Sequence, residues 1–157
     1  MAGQRRIGVI GPDPWPIGFA GALPQHAATP ITVMITPRPQ ARTIITDLEG
    51  HSDVVIWARD PSAIEAAMLI TSGASAYVTD LSDLAAAIRA VTSGESWLSA
   101  VAAVAVCRLA RITGDSGLDE LSVAARAAAS GQAWPLACRA AGATGTRSLL
   151  MQLRRAL

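Results

Sequence analysis

The chain of 157 residues contains no lysine and no asparagine, and all 13 of its basic residues are arginine. The missing lysine excludes a P-loop lysine, a Schiff-base lysine and any mechanism that needs an ammonium point charge. Cysteine is scarce: Cys107 and Cys138 sit in alanine-rich, helix-like surroundings. Two small buried hydrophobes are the expectation there, with a disulfide or a redox sensor as the alternative. His26 and His51 fall in expected loops near Pro and Gly, with no nucleophile motif and no metal-ligand spacing around them. No catalytic residue, no metal and no cofactor is therefore expected. Long apolar runs are also missing, since the longest, Trp97–Cys107, is too short to cross a bilayer. Arg5-Arg6 runs into a short strand-like segment rather than a signal peptide, so a cytoplasmic protein without membrane contact is expected.

What is present is apolar and compact in character. Hydrophobic residues make up 51% and charged residues 16%, at a mean hydropathy of +0.36, which fits a globular chain and excludes extended disorder. The net charge of +1 hides an asymmetry: residues 1–100 hold six Arg against nine acids, and residues 101–157 hold seven Arg against three. An acidic front half joined to a basic tail fits a sensor-like domain attached to something that meets an anion.

Four β-branched runs recur, IGVI (7–10), ITVMIT (31–36), DVVIWA (53–58) and AYVT (76–79), each followed by a helix-like segment. Alternation of this kind predicts a parallel sheet covered on both faces, and continuous apolar strands agree with burial on both sides. Asp60-Pro61 predicts a cap and first-turn proline for the helix SAIEAAMLI, stopped by Gly73. Asp80 with Asp83 predicts a capping box ahead of Leu84, Ile88 and Val91, which fall on one helical stripe. The segment ARTIITDL in the range 40–50 reads equally as helix or as a fifth strand. From Trp97 onward strands are not expected; alanine dominates, and GDSG (114–117) separates a helix near 100–112 from a terminal helical unit.

The run SGASAYVTDLSDLAAAIRAVTSGESWLSAVAAVAVCRLAR (72–111) resembles the end of the receiver domain and the linker of NarL/LuxR-type response regulators. The matching pieces are Gly73-Ala74-Ser75-Ala76-Tyr77, Ala87-Ile88-Arg89-Ala90-Val91 and Gly94-Glu95-Ser96-Trp97-Leu98-Ser99, all in the family's order. They cover about a quarter of the chain, and the rest matches in element order. The resemblance implies an α/β fold, a reduced receiver-like (flavodoxin-like) parallel sheet of four or five strands with flanking helices, followed by a small all-α helix-turn-helix unit. It divides the chain into a degenerate receiver-like domain (1–96), a linker helix and loop (97–117) and a short, atypical LuxR-like helix-turn-helix (118–157).

The resemblance also marks what has been lost. A receiver needs a pair of acids after its first strand, an aspartate that accepts phosphate, and a lysine that reads it. The matching positions here are Asp13, Ala58 and Thr79. A single carboxylate makes a poor magnesium site, so a phosphorylation-independent protein is implied. Asp60 lies close by, where a helix cap is the simpler reading. The vacated site, bordered by Trp15, Trp57 and Thr79, could instead take a small molecule; the alternative for the tryptophans is core packing.

In the tail, Gly142 supplies the tight turn of a helix-turn-helix, and QLRRAL resembles the end of a recognition helix. An inward stripe of Leu149, Leu153 and Ala156 leaves Arg147, Ser148, Met151, Gln152 and Arg155 outward with Arg154 beside them, a candidate DNA-binding face. The alternative is a solvated helix end whose arginines favour the C-terminal dipole. The family's dimerising fourth helix has no counterpart in residues 118–157, so DNA binding would require a homodimer or a heterodimer with another regulator. Two functions follow: a transcription regulator acting through this helix, or a receiver-like interaction module that partners another regulator or assembly. Leu150 and Met151, expected on or near the outward face, motivate the second.

Overall fold

The β-branched runs form the strands where their composition puts them: β1 (Ile7–Ile10), β2 (Ile31–Thr36), β3 (Asp53–Ala58) and β4 (Ala76–Val78). The computed structural model describes residues 7–11 and 15–157. A fifth strand, β5 (Trp97–Leu98), comes from the segment where no further strands were expected. It pairs in parallel with β4, with Trp97 N donating to Ser75 O and Ser99 N to Tyr77 O at its two ends. The ambiguous segment in 40–50 is helical, as α2 (Ala41–Leu48).

The remaining helices are α1 (Phe19–Ala22), α3 (Ala63–Ser72), α4 (Leu84–Thr92), α5 (Ala100–Thr113), α6 (Asp119–Ala129), α7 (Trp134–Ala141) and α8 (Thr146–Ala156). Two start signals differ from expectation. The cap of α3 is Ser62, whose hydroxyl accepts from Glu65 N at 3.0 Å, while Asp60 stays exposed two residues upstream. Asp80 caps a short 3₁₀ turn, Leu81–Asp83, by accepting from Ser82 N and Ser82 Oγ, and α4 follows that turn. The predicted stripe Leu84, Ile88 and Val91 is buried.

All five strands are parallel, in the order β1-β2-β3-β4-β5. The α/β class and the parallel, helix-flanked layering are as expected. Side chains alternate between two cores, as the pleat requires. Val33, Ile35, Val55, Trp57 and Val78 pack with α1 and α4 on one face. Met34, Val54, Ile56, Ala58, Tyr77 and Leu98 pack on the other with α2, α3 and α5, and that cluster continues without a break into α6, α7 and α8. Because the order never turns back, connections on opposite faces are of opposite hand, a departure from the uniform hand of parallel crossovers. It also means that the sheet has no point of strand reversal, where doubly wound sheets open a crevice for ligands. No helix among the described residues is long and apolar enough to cross a membrane.

Candidate functional site

Whatever α8 does depends on how it is held. Gly142 ends α7 in the left-handed conformation at φ 71°, as expected of the turn. Three residues later α8 begins at Thr146, a fully buried polar residue. Its hydroxyl donates to Glu95 Oε2 at 2.9 Å and accepts from Ser96 N at 2.8 Å and Ser96 Oγ at 2.7 Å, so its hydrogen-bonding capacity is filled. Glu95 also accepts from Gly145 N and Thr146 N, both at 3.0 Å, and thereby caps α8 from a segment 50 residues away in sequence. Burial pushes the Glu95 carboxyl up, but the three hydrogen bonds from Thr146 and Gly145 outweigh it and hold it below the ordinary value. Nothing local in sequence announces this latch; the one signal is that Glu95-Ser96 lies inside the linker motif.

The docked α8 buries Thr146, Leu150 and Leu153, with Leu149 half-buried and Ala156 exposed. Leu153 is inward as expected and Leu149 packs against the core, while the exposure of Ala156 and the burial of Leu150 correct the expected stripe. The reason is that α8 packs against both α3 and α5. Three of the expected outward residues therefore have partners within the chain. Arg147 pairs with Asp53 at 3.0 Å and donates to Val91 O at 2.9 Å. Arg154 lies 3.8 Å from Glu49, and Gln152 Nε2 donates to Asp115 at 3.2 Å. Burial raises the Asp53 carboxyl above its ordinary value while Arg147 opposes the rise. Ser148, Met151 and Arg155 remain exposed, with Arg155 resting on the Met151 sulfur at 3.5 Å.

At the opposite, C-terminal edge of the sheet stand the positions matched to a receiver's phosphate site. Ala58 is buried in the α3 face. Thr79 follows β4 one step past the Trp57–Val78 pair, so both reach the same edge. Asp13 lies outside the described residues. That edge is closed by Glu65, which sequence reading passed over: its Oε1 accepts from Thr36 Oγ1 at 2.8 Å and from Tyr77 OH at 2.7 Å. Ser62 and Glu65 have the spacing of a capping box, yet Glu65 turns into the sheet and Ser62 N donates to Tyr77 OH instead. Trp57 packs in the core between Phe19 and the sheet, and Trp15 meets Phe19 edge-on at 5.4 Å.

The two cysteines form no disulfide. Burial, with the Glu95 charge beside it, pushes the Cys138 thiol up to about 12, which leaves no reactive thiolate at neutral pH. Among the described residues no three His, Cys, Asp or Glu side chains converge as a metal site. With Ala58 apolar and buried, acetyl phosphate with magnesium is expected to leave the protein unlabelled by mass spectrometry; a stable adduct on Asp13 or Asp60 would contradict this. No protein-family model matches the chain, and neither does any curated protein or any solved structure.

Proposed function

We propose that this chain is a phosphorylation-independent, receiver-like interaction module that partners another protein and does not itself read DNA. The observation that carries this reading is the use of α8 inside the chain. Of the six side chains expected to meet DNA, Arg147, Gln152 and Arg154 are turned to Asp53, Asp115 and Glu49. Undocking α8 would uncover Leu150 and Leu153 and leave Asp53 and Asp115 without these partners, a cost that a few phosphate contacts at physiological salt do not offset. A surface for a partner exists elsewhere: Ile64 and Met68, one turn apart on α3, are 77% and 42% exposed.

A second reading, DNA contact through the outer face of α8, is favoured by Ser148, Met151 and Arg155, which stay exposed. Selection of genomic fragments by the purified protein at two salt concentrations separates the two. The expected result is no shared motif at either salt. A motif that is enriched by the wild type and lost in Arg155→Ala would overturn the interaction reading. On the positive side, cross-linking with wild type and with Ile64→Glu/Met68→Glu should give a specific partner that only the wild type retains.

A further inference from the structure

A cleft of about 370 Å³ opens at the N-terminal edge of the sheet, between the start of β3, the turn at Gly73 and the inner side of α8. Its size suits a small metabolite rather than a macromolecule. Two of its side chains are only loosely engaged within the chain. Ser75 is 8% exposed, lines the cleft, and makes no side-chain hydrogen bond among the described residues. Its Oγ is not among the buried side-chain atoms left without a partner, so it reaches the solvent of the cleft and is free to bond what enters there. Arg154 is the second: its side chain is 20% exposed, it makes no hydrogen bond among the described residues, and its nearest carboxylate, Glu49, is 3.8 Å away and itself 62% exposed. Beside it Gly73, at φ 129°, ends α3, and a Cβ there would stand 2.9 Å from Arg154 Nη1, a contact the flexible guanidinium relieves by shifting.

From this we infer that the cleft is a binding site for a small oxyanion-bearing metabolite, a carboxylate or a phosphate monoester, held by Arg154 and Ser75. A planar guanidinium fork matches both groups, and a hydroxyl donates to either. The acids of the cleft do not oppose it. Asp53 is neutralised by Arg147 at 3.0 Å, and Glu49 can yield Arg154 and return to water. The inference is independent of the interaction reading, since the cleft does not involve Ile64 or Met68.

The test titrates inorganic phosphate and malonate separately into the full-length protein, with sodium chloride at matched ionic strength as reference, and follows backbone amide shifts. Saturable shifts confined to Gly73, Ser75 and the C-terminal half of α8 are expected for at least one probe. Phosphate alone would assign the phosphate monoester, and malonate alone the carboxylate. Arg154→Met and Ser75→Ala should each weaken that binding about tenfold, and Ser75→Ala serves as the mild variant should Arg154→Met disturb α8. No saturable shift with either probe, or unchanged affinity in Ser75→Ala, would overturn the proposal.

Discussion

Thr146→Val destabilises the chain by about 3 kcal/mol, because it strands three buried or half-buried groups at once. Valine keeps the shape and removes the hydroxyl. Ser96 N and Ser96 Oγ then lose their acceptor and Glu95 Oε2 loses one of its donors. A chain of this length loses about 2–4 °C in Tm per kcal/mol, so thermal unfolding should fall by about 6–12 °C. Thr146→Ser restores the hydroxyl and should recover most of the loss, which separates the hydrogen bonds from the methyl group. Glu95→Gln is the complementary change. Glu95 has its carboxyl held below the ordinary 4.5 in the folded state. Its contribution is thus present at neutral pH and disappears as the pH falls below the ordinary value and through the lower folded one. Glu95→Gln should lower stability at neutral pH and flatten the acid limb of the stability curve. Equal stability of wild type and Thr146→Val in urea would mean that α8 is not held by this latch.

The part of the fold that was legible rests on local chemistry. β1 to β3 begin and end where the β-branched runs do, and Gly73 and Gly142 end α3 and α7 because each adopts a conformation disfavoured for other residues. What escaped sequence reading is long-range. β5 is two residues held by backbone bonds to β4, which no periodicity of its own could signal. Leu150 lies on the inner face rather than the outer one expected, because a binary pattern treats arginine as outward. Arg147 and Arg154 meet Asp53 and Glu49, and those carboxylates make the inner side of α8 a tolerable place for charge. The latch joins residues 50 apart, and Glu65 serves Thr36 and Tyr77 rather than its own helix end. In each case a local rule named the right residue type and tertiary packing chose a different partner.

The single tyrosine of the chain should ionise only as the protein unfolds. Tyr77 is fully buried, donates to Glu65 Oε1 at 2.7 Å and accepts from Ser62 N at 3.3 Å. Burial is the main reason its phenol titrates above the ordinary 10, and the hydrogen bond to Glu65 and the charges of Glu65 and Asp60 add to it, against a smaller opposing effect of Ser62 N. Above pH 10 the unfolded chain therefore carries fewer protons than the folded one. Stability falls as pH rises, by up to about 1.4 kcal/mol per pH unit. Tyrosinate absorbance and the loss of far-ultraviolet dichroism should rise together in one alkaline transition; a tyrosinate signal near pH 10 from a chain that is still folded would refute the buried donor. Tyr77→Phe removes the titration and should flatten this alkaline limb, at a loss of about 1–2 kcal/mol at neutral pH, since Ser62 N loses its acceptor and Glu65 one donor. Tyr77→Ala should cost about 3–5 kcal/mol, because it adds a cavity beneath α3 to the same loss. The difference between the two variants measures how much of the closed C-terminal edge is packing, and the Phe variant alone measures how much is the Glu65 bond.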